Sequence, residues 1–429
     1  MQNKFNQKQI LCMFVFVSVV FSAMWPTLSF KWFDAFFYLI VDGSWILADV
    51  LQYTIALIFC LVLSGALLCW EKWPWDITLL WVPYLIWNIS ALGWSIYPTY
   101  SAHGIVHDII IAQAVFIFGY AINYSRTLAL KTQYYIVLLA IFCSVVAMIY
   151  FPMEKVSGPG LLFDGVLFSN WFSYLLGMML PVLWLKTQRK PWGEISWLVL
   201  LLLAFTMLAS MRIVWLASLA CLVVCVGSGR FGAGFSDKKK AYLSLFFWCV
   251  FLVVGYIYTG IFKPADGFAP DAGSDFSAWY MTFFKNERYR IWGFWINQSL
   301  SHWWGGVGLG WEVPRFAYAK YKPDYFPLVF VSHGHNLFLN QYLQLGLVGV
   351  LLYAGTWLLV FKKCLVFFKG HPAMRWCGMA IISMLVMLCA KNFTDDGMRD
   401  QNILLYFLLL GCLFGRARRP AGTLAQSLL

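Results

Sequence analysis

Apolar residues fill this chain in runs about twenty long, divided by short polar breaks. Runs of that length are what an α-helix needs to cross a hydrocarbon layer. They predict spans near residues 10–29, 45–69, 74–94, 105–124, 132–151 and 165–185. The stretch 195–228 is too long for one helix. Ser210-Met211-Arg212 is its natural point of return, so it counts as two. Further spans are expected near 241–262, 336–361, 374–391 and 401–415. The pattern therefore predicts an all-α polytopic membrane protein of about twelve transmembrane helices. The first run follows a short basic start and ends in a poor cleavage site, so it is expected to stay as an uncleaved span. Residues 30–40 are apolar and aromatic but interrupted by Asp34; they are expected to lie along the outer surface.

The rhythm stops once. Residues 263–335 form a long loop between an N-terminal bundle of about nine spans (1–262) and a C-terminal segment of three spans and a tail (336–429). The start of the loop, 264–277, is rich in Gly, Pro, Asp and Ala and reads as irregular. From Phe283 to Trp304 the apolar positions Phe283, Phe284, Ile291, Phe294, Trp295 and Leu300 suit a surface helix. Then comes a glycine cluster, residues 305–310 (GGVGLG), read as a close-packed turn. It does not fit the dinucleotide fingerprint, because no βαβ unit surrounds it. Long ordered loops of this kind act more often as lids or binding elements than as spacers.

Composition supports the membrane reading. The chain has 61% hydrophobic and only 12% charged residues, and many of its 23 tryptophans lie near the ends of the apolar runs. Soluble domains carry about 25% charged residues. The net charge of +12 raises the question of nucleic acid. Most of the 31 basic residues, however, fall on alternate loops: Lys4, Lys8, Lys72, Arg126, Lys131, Lys186, Arg189, Lys190, Arg230, Lys238 to Lys240, Lys362, Lys363, Lys369, Arg375, Arg416, Arg418 and Arg419. That placement is the positive-inside pattern, with both termini in the cytoplasm, so no nucleic-acid partner is inferred. The 11 cysteines lie in spans or on loops assigned to the cytoplasm and give neither a disulfide framework nor a metal motif. No metal and no cofactor are expected.

Polar residues near a bilayer are costly unless they are used. In the long loop basic and acidic residues nearly balance, so anion recognition there would depend on single placed side chains. Arg288 and Arg290 are the closest pair, and Arg212 sits at the tip of a hairpin between two spans. Guanidinium forks match phosphate oxygens, which makes a phosphate or pyrophosphate the natural ligand of Arg212 and Arg288. For Arg290 a headgroup contact or a pairing with an acid is the better reading. His333 and His335 precede a span, but a His-x-His pair without a third ligand is a weak metal signal. On its residues alone His335 reads as a histidine capping or bonding at a helix start, although a neutral imidazole there can also accept a hydroxyl proton. Asn336 has a plain role as the N-cap of the following span. Asp395, Asp396 and Arg399 read as a polar turn, or as orienting partners for a histidine or arginine.

Taken together, Arg288-x-x-x-Trp292, the glycines of 306–310, and His333-x-His335-Asn336 followed by Gly346-x-x-Gly349 resemble the O-antigen ligase and polymerase family of bacterial polytopic membrane proteins. The resemblance is clearest over residues 209–352. Ser210-Met211-Arg212 resembles the family's Ser-Arg hairpin with one methionine inserted. Trp303-Trp304 stand where the family has a proline, and Gln344-Leu345 where it has a glutamate. The resemblance implies a membrane glycosyltransferase of the GT-C type in the inner membrane, working on the periplasmic face without metal. A glycan on undecaprenyl pyrophosphate would pass to an acceptor hydroxyl. Arg212 and Arg288 would hold the pyrophosphate, and His335 would activate or orient the acceptor. The favoured branch is the ligase, with lipid A–core oligosaccharide as acceptor. A polymerase is second and a protein O-oligosaccharyltransferase third. From another class, a lipid-linked oligosaccharide flippase would need a polar path within the spans, and the charges gather on one outer face instead.

Overall fold

The computed structural model describes residues 7–28, 57–68, 72–128, 287–310, 313–321, 334, 336–367, 370, 372–392 and 400–419, with a few single positions between 132 and 139 and at 223. These residues are mostly helical, and no strand occurs among them. Nine helices organise them. They are α1 (Gln7–Leu28), α2 (Leu57–Leu67), α3 (Trp75–Thr78 and Val82–Ala91, joined by a tighter turn at Leu79–Trp81) and α4 (Pro98–Tyr124). Then come α5 (Glu287–Ser299), α6 (Val313–Tyr318), α7 (Leu337–Phe367), α8 (Pro372–Asn392) and α9 (Asp400–Ala417).

Two of them, α4 and α7, are long and apolar enough to cross a membrane. The expected spans near 10–29, 374–391 and 401–415 coincide with α1, α8 and α9 to within a few residues. The expected spans between 165 and 262 lie outside the described residues, apart from position 223, as does the surface segment 30–40.

Three helices depart from the simple pattern, each for a local reason. In α3, Pro83 has no N–H for the Leu79 carbonyl, so the Val82 N–H takes it in the tighter register. The Leu80 carbonyl accepts the Thr356 hydroxyl of α7 at 3.1 Å. Helix α4 starts at Pro98, earlier than the expected 105, and widens into a π turn over Ile105–Ile111. Helix α7 is broken at Gly346 (φ 67°, ψ −169°), so the expected single span is a short head followed by a long shaft. The shaft, residues 347–367, rises about 31 Å, which by itself suffices to cross the hydrocarbon layer.

The core is one large apolar cluster shared by α1, α2, α3, α4, α7, α8 and α9. Its centre is aromatic: Trp81 lies 5.0 Å from Trp357, 5.3 Å from Phe407 and 6.3 Å from Tyr353, ring centre to ring centre. Helices α4 and α9 pack in parallel at the closest range, since Gly119 faces the Leu408 carbonyl and Gly411 the Phe116 carbonyl. The outward faces are apolar too. Leu351, Leu358 and Leu365, seven residues apart on the α7 shaft, are 62%, 67% and 45% exposed.

Candidate functional site

The described part of the long loop and the head of α7 share a core. That small core holds Ile291 and Trp295 from α5, Val307 from the glycine cluster, Val313 and Tyr318 from α6, and Leu343 from α7. Ile291 and Trp295 are one helical turn apart, so α5 is the surface helix expected from Phe283 to Trp304, beginning within the described residues at Glu287. Leu300 is 60% exposed, at the start of a tighter single turn, Leu300–His302. On the α6 side, Trp295 stacks edge-on against Tyr318 at 6.0 Å. Burial pushes the Tyr318 phenol up to about 12. Its hydroxyl lies 3.1 Å from His302 Nδ1.

The glycine cluster closes onto the break in α7. Breaking a helix frees carbonyls and N–H groups that cost free energy if left unpaired in an apolar setting. Here the loop takes them up. The Val307 N–H donates to the Leu343 carbonyl at 3.1 Å, and the Gly308 N–H to the Gln344 carbonyl at 2.8 Å. In return the Leu347 N–H donates to the Trp303 carbonyl at 2.8 Å. The Leu345 carbonyl accepts the indole of Trp87 at 3.0 Å. The side chain of Gln344 accepts the Gly310 N–H at 3.0 Å. The far wall of the loop is tied to the turn between α3 and α4: Trp94 donates to the Gly305 carbonyl at 3.0 Å, and the Ile96 N–H to the Val307 carbonyl at 3.1 Å.

Glycine is required at two of these positions. Gly346 has a left-handed φ, and a Cβ there would overlap the Trp304 carbonyl. Gly308 (φ 115°) leaves room only for the hydroxyls of Ser95 and Ser101, which bond each other at 2.7 Å.

The head of α7 begins at Asn336, whose Oδ1 accepts the Leu339 N–H at 3.0 Å, the N-cap geometry. One turn later, buried Asn340 accepts the Gly334 N–H through its own Oδ1 at 2.6 Å. The residues on both sides of position 335 are thus tied to the helix start. Gln341 accepts the Tyr84 hydroxyl of α3 at 2.6 Å. In α4 the π turn carries His107, whose Nδ1 lies 2.6 Å from Asp108 Oδ1, and the His107 ring lies parallel to that of His103 at 6.0 Å.

Of the residues singled out from sequence, Arg288 and Arg290 lie in the first turn of α5, and Asn336 caps α7. Arg212, His333, His335, Asp395, Asp396 and Arg399 lie outside the described residues. Sequence reasoning passed over Tyr84, His103, His107, Asp108, Asn340 and Gln341, and gave Gln344 no structural role. A signal was present: Asn336, Asn340 and Gln344 recur every four residues in an apolar run, as do His103 and His107, so each set shares one helix face. Among the described residues no group of three or more His, Cys, Asp or Glu side chains is arranged to hold a metal ion. No protein-family model matches the chain, and no curated protein matches it.

Proposed function

We propose that this chain is an integral membrane glycosyltransferase of the O-antigen ligase kind, moving a glycan from undecaprenyl pyrophosphate to lipid A–core oligosaccharide. The observation that carries the reading is the packing of α5, which begins with Arg288 in its first turn, onto the head of α7, which begins directly after His335. An anion-binding arginine and a proton-accepting histidine belong together in this chemistry, and the helix that carries the arginine shares one small core with the helix that follows the histidine in sequence. The exposed apolar stripes of the bundle are what lipid would cover, with both termini in the cytoplasm and the long loop in the periplasm.

In the reaction the acceptor hydroxyl oxygen bonds the anomeric carbon while the carbon–oxygen bond to the pyrophosphate breaks. The lipid pyrophosphate leaves with the bonding electrons. Arg288 and Arg212 stabilise the charge that builds on it, which is where preorganised cations lower a barrier most. His335 takes the hydroxyl proton. The glycine loop, fixed to the broken helix, keeps the α5 lid in register and excludes water as a competing acceptor.

The test is reconstitution of the purified chain with undecaprenyl-pyrophosphate glycan and either lipid A–core or a second carrier-linked glycan. Glycan on lipid A–core is the expected product. Lengthened carrier-linked chains would make it a polymerase. Movement across the bilayer without a new bond would make it a flippase and sink the proposal.

A further inference from the structure

At the end of the bundle away from the glycine loop, α4 and α9 stop side by side. Beyond Tyr124 the chain turns through Arg126, which takes a left-handed φ of 58°. Nε and Nη2 of Arg126 are buried without a hydrogen-bond partner, and so is Nε of Arg419. Arg419 reaches back across the helix pair, its Nη2 bonding the Asn123 carbonyl. Arg416 stands in the last turn of α9. Burial first, and then the positive charges of Arg126 and Arg416, hold the Arg419 guanidinium down to about 10. The acid at this end among the described residues is Asp76, and it is taken. Arg418 grips both its oxygens at 2.6 Å, and Lys363 adds a contact at 3.1 Å.

Arg126, Arg416 and Arg419 therefore stand close together with no carboxylate to balance them among the described residues. Desolvating like charges side by side is unfavourable unless an anion joins them. Guanidinium groups converging from two helices offer several N–H donors to a tetrahedral anion. Helix α4 is long and apolar enough to cross a membrane, which would set its last turn at headgroup depth. We propose that Arg126, Arg416 and Arg419 form a phosphate-binding site, filled by the phosphate of an anionic lipid headgroup or by a soluble phosphate. It lies at the opposite end of the bundle from Asn336 and stands independently of the glycosyl-transfer reading.

The experiment uses the full purified chain in maltoside micelles, which carry no phosphate. Phosphatidylglycerol and inorganic phosphate are titrated in separately, with the thermal midpoint and native mass spectrometry as readouts. Phosphatidylglycerol is expected to bind and raise the midpoint by several degrees. Arg126→Gln and Arg416→Gln are each expected to weaken binding about tenfold, the scale of one lost charge-assisted bond. Lys320→Gln, an exposed lysine at the other end, should bind as the unmodified chain does. If inorganic phosphate alone reproduces the effect, the site is upheld with a soluble ligand. If neither phosphate source binds the unmodified chain, or if both arginine variants bind as it does, the proposal is overturned. Should Arg126→Gln fail to fold, Arg416→Gln at the helix end and binding to the unmodified chain still decide the matter.

Discussion

The two ends of the helix bundle handle polar groups in opposite ways. At the glycine-loop end the break in α7 exposes backbone N–H and C=O groups, and the chain meets them with its own: Val307, Gly308 and Trp303 from the loop, Trp87 from α3. At the other end charged side chains gather, and among the described residues only part of that charge is met by acids. Asp76 holds Arg418 and Lys363, while no described carboxylate meets Arg126, Arg416 and Arg419. A helix break whose backbone groups are paired internally is rigid and suited to hold a site in place. An end whose cations lack a carboxylate among the described residues suits the external anion proposed above.

That contrast can be broken or sharpened by substitution. The largest effect is expected at Gly346. Gly346→Ala forces a side chain against the Trp304 carbonyl at a left-handed φ, and should cost about 3–5 kcal/mol, read as lost folded yield and a lowered thermal midpoint in detergent. Gly355→Ala is the matched control: nothing lies within 4 Å of an added Cβ there, and the change should be neutral or slightly stabilising. If both variants behave alike, the loop does not lock the break.

Next comes Gln344→Leu, which leaves the Gly310 N–H without its acceptor. A loss of about 1–2 kcal/mol is expected, with faster hydrogen exchange confined to residues 305–310. Exchange unchanged there would remove Gln344 from the account. Asn340→Leu is expected to cost a similar amount through the Gly334 N–H, and also to lower glycan transfer, since it loosens the segment beside His335. Asp76→Asn at the charged end should give the smallest change. About 1 kcal/mol or less is expected because Asp76 is 43% exposed, and raised salt should shrink it further. A larger, salt-insensitive loss would show that this end is as tightly built as the other.

How far the sequence could be read follows the same division. Features set by neighbours in the chain were legible. Asn336 before an apolar run reads as an N-cap, and the N–H of Leu339 bonds it. The cluster at 305–310 reads as a close-packed turn, and three of its glycines take positive φ. The partners of that turn were not legible. Gln344, Ser95 and Ser101 come from distant parts of the chain, and no local pattern pairs them with the loop. The break at Gly346 was missed because a single glycine is tolerated inside a helical run, and only contact with Trp303 and Trp304 reveals why the helix must stop. From the sequence the arginines were read as markers of sidedness. Their convergence was not, since Arg126 lies almost three hundred residues from Arg419 and meets it only because α4 and α9 run parallel.

If the α5 arginine and the head of α7 serve one transfer reaction, loss of Arg288 slows that reaction without unfolding the protein. Single-turnover transfer by purified Arg288→Ala, with thermal stability measured on the same sample, separates the two. The expected result is an unchanged thermal midpoint and transfer slowed about 100-fold or more, the scale of one lost stabiliser of developing charge. Transfer at the full rate by a folded Arg288→Ala protein would contradict it.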